Sequence, residues 1–161
     1  MKLIGQRIGV FIDNQNLFYS STRIFTKYID YKKLLDFIVR DRQLVRAIAY
    51  VVESQETNQE HFISILKKSG YEVKKKLLKR RPDGTAKGDW DMGIAIDTIS
   101  LASKLDVVAL VTGDGDFVPL INKLKALGCY VEVYYIKGSC AEELMEAADE
   151  AIPIEKNLCL E

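Results

Sequence analysis

The side chains best suited to chemistry are aspartates in three short clusters. Asp13 opens Asp13-Asn14-Gln15-Asn16; Asp89 and Asp91 lie in Lys87-Gly88-Asp89-Trp90-Asp91, with Asp97 six residues on; Asp114 and Asp116 lie in Thr112-Gly113-Asp114-Gly115-Asp116. Two unit charges 4 Å apart repel by about 4 kcal/mol at an effective dielectric of 20. If these acids meet in space, they must therefore be protonated or share a cation. Neither histidine nor thiol lies near them in sequence, so the donors are all oxygen, which selects a hard ion such as Mg²⁺ or Mn²⁺. Such an ion stabilises charge on a phosphoryl oxygen and makes water a better nucleophile. The chemistry implied is phosphodiester hydrolysis.

Each acid also has a plain structural role open to it. Asp116 could cap a helix beginning at Phe117, with Pro119 in its first turn. Asp91 could favour a positive helix N-terminus, Asp114 the turn between Gly113 and Gly115, and Asp13 an Asx-turn. Asp97 could face solvent, about 120° around a helix axis from Asp91. Asn16 could orient a phosphate, hold Asp13, or cap a short helix over Leu17–Ser20. Asp89 and Glu53 read as periphery. The joint placement of the acids, rather than any one of them, points to a site.

What could gather them is an alternation of two kinds of segment. Ile8–Asp13, Ala47–Val52, Tyr71–Leu78, Val107–Thr112 and Tyr130–Ile136 are short, apolar and rich in β-branched residues, as strands covered on both faces are. Helical spacing marks Tyr31–Arg40, Thr57–Ser69, Asp91–Lys104, Phe117–Leu127 and Ala141–Ala148, with Gly70 and Gly128 as natural stops. Strands alternating with helices imply a parallel sheet with helices on both faces. In such a sheet ligands bind beyond the carboxyl ends of the strands. Asp13 and the Gly113–Asp116 stretch follow the first and fourth strands there. The fold class expected is α/β, a three-layer α/β/α sandwich.

Composition bounds the rest. The 161 residues suit a single domain over 1–161, and 48% apolar against 29% charged residues is ordinary for a globular chain. Lysine plus arginine equals aspartate plus glutamate, 23 each, so attraction for a polyanion must come from local charge. The basic stretch Lys74–Gly88 supplies it: Lys74, Lys75, Lys76, Lys79, Arg80, Arg81 and Lys87 face only Asp83. It reads as a strand end running into an exposed loop around Pro82-Asp83-Gly84; the alternative is a lysine-protected sheet edge. Three cysteines without a C-x-x-C pair and one histidine argue against a disulfide framework or a zinc site. No apolar run reaches the roughly 20 residues of a membrane span, and the first residues do not read as a signal peptide, so a cytoplasmic location is expected. Phe11, Phe18 and Phe117 read as core rather than base-stacking groups and His61 as a surface or boundary residue; Trp90, which abuts the acids and follows the basic loop, is the exception. The tail Ala151–Ile154 and an exposed sheet edge are features a homodimer would use.

Taken together, Phe11-Ile12-Asp13-Asn14-Gln15-Asn16, Lys87-Gly88-Asp89-Trp90-Asp91 with Asp97, and Thr112 to Leu120 resemble an NYN domain of the LabA-like type, a branch of the PIN-like nuclease superfamily. The resemblance runs from about Ile8 to Ile136. It implies a Rossmann-like sandwich and a divalent-metal-dependent ribonuclease site formed by Asp13, Asp91, Asp114 and Asp116, with Asn16 and Asp97 in support. The family often has K-G-x-D, and here Asp89 and Asp91 both follow Lys87-Gly88; Asp91 is aligned because it keeps the spacing to Asp97. The function expected is an endoribonuclease using Mg²⁺ or Mn²⁺, with Asp13 and Asp114 on the metal, Asp91 and Asp116 beside them, and Lys79, Arg80, Arg81 and Lys87 on RNA phosphates. The alternatives are an RNA-binding or regulatory module without turnover, and a phosphoesterase acting on small nucleotides. No P-loop or G-x-G-x-x-G is present to suggest ATP, GTP or dinucleotide use.

Overall fold

A computed structural model describes residues 4–54, 59–84 and 86–161, without the side chains of residues 79, 80, 86 and 87. Its centre is a six-stranded sheet in the order β3-β2-β1-β6-β7-β8, parallel throughout. The strands are β1 (Arg7–Asp13), β2 (Gln43–Glu53), β3 (Glu72–Leu77), β6 (Val107–Val111), β7 (Tyr130–Tyr135) and β8 (Glu150–Pro153). The helices are α1 (Asn14–Ile24), α2 (Tyr31–Val39), α3 (Glu60–Lys68), α4 (Asp91–Leu101), α5 (Val118–Ala126) and α6 (Glu142–Ala147). A small antiparallel hairpin, β4 (Lys79–Arg80) with β5 (Ala86–Lys87), stands apart from the sheet.

Side chains alternate between the two faces, as the two-residue period of a strand requires. On β1, Ile8, Val10 and Ile12 enter a core with Leu34 and Ile38 of α2 and Leu66 of α3. Phe11 enters the opposite core, with Ile94 of α4, Ile121 of α5 and Leu144 of α6. Both faces are thus covered, and the three-layer expectation holds. Among the described residues no helix is long and apolar enough to cross a membrane.

The strand order determines where a ligand crevice forms. The chain proceeds outward from β1 to β3, then returns to the centre and proceeds the other way from β6 to β8. Direction reverses between β1 and β6, whose loops leave to opposite faces and open a crevice at their carboxyl ends. Asp13 closes β1, and Thr112-Gly113-Asp114 follows β6.

Several local expectations change. The strand expected over Tyr71–Leu78 is edge strand β3, Glu72–Leu77, but the basic residues after it turn back as the β4–β5 hairpin rather than an open loop. The tail Ala151–Ile154 is part of the sheet: Ala151–Pro153 belong to the edge strand β8 and Ile154 is buried. The chain after Asp13 forms an eleven-residue helix rather than a short one over Leu17–Ser20. Residues 57 and 58 of the expected Thr57–Ser69 helix lie outside the described residues; Gly70 and Gly128 do terminate their helices, both at positive φ.

Candidate metal centre at the sheet switch point

Three carboxylates from three separate elements converge at the crevice. One oxygen each from Asp13, Asp91 and Asp114 lies within 4.8 Å of the others. Asp13 ends β1, Asp91 opens α4, and Asp114 begins the turn after β6. Each uses its structural role to reach the site. Asp13 is the N-cap of α1, its Oδ1 accepting from Asn16 N at 3.5 Å. Asp114 accepts from Asp116 N at 2.9 Å, and Asp91 N donates to Asp89 at 3.1 Å. Capping and convergence are therefore compatible, and the plain readings of these acids are not rivals to the chemical one.

A short relay holds the first and third acids in register. Thr112 Oγ1 donates to Asp13 Oδ2 at 2.9 Å and accepts from Asp114 N at 3.2 Å. Asn16 accepts from Gly113 N through Oδ1 at 2.9 Å, tying α1 to the β6 loop. Gly113 has to be glycine for a steric reason: a Cβ there would sit 2.0 Å from the Ser139 carbonyl oxygen.

The electrostatics show a site short of positive charge. Burial, then the charges of Asp114 and Asp89, push the Asp13 pKa up to about 6 despite the Thr112 and Asn16 hydrogen bonds. Burial and the charges of Asp89, Asp114, Asp13 and Asp116 raise Asp91 to about 7. Such mutual repulsion is what a divalent ion relieves.

The other expected residues lie around this triad. Asp116 is exposed and near enough to act on Asp91, but is not one of the three converging acids. Asp97 faces elsewhere: its Oδ2 accepts from Tyr50 Oη and Lys74 Nζ, both at 2.7 Å. Burial opposes its charge, but those two partners outweigh burial and hold its pKa below the usual carboxylate range. Lys74 is thereby committed, as are Lys75, 3.6 Å from Glu53, and Lys76, which lies over the Trp90 ring. Trp90 also donates to Val51 O and packs on Tyr50, so it is a structural wall of the site rather than a free stacking surface. Of the expected phosphate contacts, Arg81 is exposed, while the side chains of Lys79, Arg80 and Lys87 lie outside the described residues. Phe11 and Phe117 are core, but Phe18 is 47% exposed and stacks on Tyr28.

The domain model that matches this sequence is NYN, over residues 7–155. The chain belongs to the NYN domain family. The LabA protein of Synechococcus elongatus, named for low amplitude and brightness, is 29% identical over 156 residues, covering 92% of this chain and 83% of that one. A crystal structure of a protein of unknown function from Vibrio parahaemolyticus superposes with a TM-score of 0.90 at 32% identity, covering 99% of both chains. The NYN core, β1 to β8, thus carries the acidic crevice within its matched span.

Sequence reasoning placed Asn16 in support of the site but missed Thr112 and the partner that Asn16 holds. The Thr112 relay and the Asn16–Gly113 bond join residues almost 100 positions apart, and only the parallel register of β1 with β6 brings them together. The tandem Gly113-Asp114-Gly115 was the available signal, since glycines flanking an acid imply backbone held close to a neighbour.

Proposed function

We propose that this NYN protein is a divalent-metal-dependent endoribonuclease. The observation that carries the reading is the convergence of Asp13, Asp91 and Asp114 at the switch point, two of them with raised pKa values. An all-oxygen donor set with unrelieved negative charge fits Mg²⁺ or Mn²⁺ and fits no soft metal. Asp13, Asp91 and Asp114 would hold the ion. When bound, it supplies charge neutralisation at the phosphoryl group and a more acidic water.

The protein's own residues do the remaining work. Thr112 and Asn16 fix the carboxylates before substrate arrives, so their orientation costs little on binding. Asp116, exposed at the rim, would accept a proton from the attacking water. The β4–β5 hairpin runs directly into Asp89 and Asp91, so Arg81 and its neighbours Lys79, Arg80 and Lys87 offset the repulsion between an acidic crevice and a polyanion. RNA as the substrate rests on family membership joined to this geometry.

The test is cleavage of single-stranded and structured RNA by the purified protein with Mg²⁺, Mn²⁺ or EDTA, alongside Asp13→Asn and Asp114→Asn. Cleavage should require metal and both aspartates. Cleavage surviving EDTA and both substitutions contradicts the reading. RNA bound but never cut would favour a binding module, and turnover of small phosphoesters alone would favour a phosphoesterase.

A further inference from the structure

A second feature opens beside the acids. A cleft of about 800 Å³ lies between α1 and α3, walled by Asn14, Phe18, Tyr28, Val52, His61 and Phe62 among others. Its size is within the range of small-ligand sites. Asn14 follows Asp13 directly, and Val52 lies two residues beyond Tyr50, the ladder partner of Asp13. The cleft wall is therefore one strand over and about 7 Å further along than the acid.

Three observations bear on what it takes. First, no carboxylate, lysine or arginine is among its described lining residues, so it suits a neutral group rather than a phosphate. Second, Phe18 and Tyr28 stack at 5.8 Å with an 18° interplanar angle while remaining 47% and 60% exposed, which leaves a flat aromatic surface facing water. This surface is anchored: Leu160 N donates to Tyr28 O at 2.9 Å, and Asp30 N to Leu158 O at 2.9 Å. Third, Asn14 is only 6% exposed and its Oδ1 accepts from the Tyr31 hydroxyl, yet its Nδ2 has no acceptor among the described residues. No fully enclosed side-chain nitrogen or oxygen there lacks a partner, so this Nδ2 reaches the cleft it lines. An amide donor reaching a largely apolar cleft is met by water when the cleft is empty, and a ligand acceptor can take that water's place.

We infer that this cleft is a nucleobase subsite: it takes one base of an RNA strand whose phosphate lies at the carboxylate crevice. The base stacks on the Phe18–Tyr28 surface and offers a carbonyl oxygen or ring nitrogen to Asn14 Nδ2. An apolar side chain from a protein partner could fill the volume but would leave Asn14 unsatisfied. The inference rests on the proposed action on RNA and adds which part of the strand is gripped away from the reacting phosphate.

The experiment is fluorescence anisotropy of a labelled short oligoribonucleotide with the full chain in Ca²⁺, using the intact oligomer and a set carrying one abasic ribose each. For the wild type, an abasic ribose at one position should weaken binding about 5- to 150-fold, the loss expected for one base–aromatic stack. The Phe18→Ala/Tyr28→Ala double variant should bind the intact oligomer that weakly and no longer distinguish the abasic one. Phe18→Tyr/Tyr28→Phe, which keeps both rings, should behave as wild type. Abasic positions that are all silent, a double variant of wild-type affinity, or no binding of RNA at all would overturn the inference. Cleavage assayed in parallel separates the two claims. Base discrimination without metal-dependent cleavage would sink the nuclease reading and leave the cleft standing. Cleavage dependent on Asp114 but indifferent to abasic sites would do the reverse.

Discussion

Replacing Asp13 with asparagine should stabilise the metal-free protein at alkaline pH. Asp13 is 8% exposed, and its pKa is raised from 3.8 to about 6. A tenfold change in proton affinity corresponds to about 1.36 kcal/mol, so the ionised side chain opposes folding by about 3 kcal/mol. Because the folded pKa is the higher one, this penalty is absent below about pH 4 and grows as pH rises through about 6. An amide removes the repulsion from Asp114 and Asp89 but keeps part of the burial cost and disturbs the Thr112 hydrogen bond. The net gain is therefore about 1–2 kcal/mol. For a chain of this length that is about 2–8 °C in Tm. The assay is thermal unfolding of wild type and Asp13→Asn in EDTA at about pH 4 and about pH 8, then with Mn²⁺ at the higher pH. The variant should melt above wild type only at about pH 8 in EDTA, and Mn²⁺ should raise the wild type past it. A variant that melts below wild type by the same margin at both pH values would show that the carboxylate is favourably paired and the repulsion argument wrong.

Other consequences are equally direct. Changing Lys79, Arg80 and Arg81 together to alanine should weaken RNA binding and flatten its salt dependence by about 2 in log–log slope, as loss of three single-strand phosphate contacts requires; an unchanged slope removes the hairpin from the interface. Gly113→Ala, which drives a Cβ into the Ser139 carbonyl, should cost about 1–3 kcal/mol in denaturant unfolding and reduce cleavage with it. Arg42 and Glu132 form a buried ion pair 2.8 Å apart, with side chains 1% and 0% exposed. Arg42→Met alone should cost about 3–5 kcal/mol in the same unfolding assay, whereas Arg42→Met with Glu132→Leu should recover most of it.

The strands that carry the site could be read because each is a β-branched apolar run that stops at an acid or a glycine, and an open parallel sheet puts those stops on one rim. Asp13 and Asp114 were visible for that reason, and Asp91 through its position at the start of a helical stripe. Other elements depend on contacts that no local pattern encodes. Helix α1, Asn14–Ile24, is rich in serine, threonine and aromatics; its buried Ser20 is held by Ser139 Oγ at 2.6 Å, a partner 119 residues away. Strand β8 is four residues long and is specified by pairing with β7 more than by its own sequence. Lysines 74 to 76 looked like a free cationic run because their partners Asp97, Glu53 and Trp90 sit on neighbouring elements. Phe18 broke the rule that a phenylalanine in a helix faces the core, and it did so at the mouth of the cleft beside Asp13.

Calorimetric titration of Mn²⁺ into the metal-free protein bears most directly on the account. Wild type should take up the ion at about pH 8 and bind it more weakly below about pH 6, where protons compete for Asp13 and Asp91. Asp114→Asn, folded as judged by its thermal melt, should show no comparable uptake. Heat of binding that is absent from wild type, or that persists undiminished in Asp114→Asn, would contradict the claim that these three carboxylates form a metal centre.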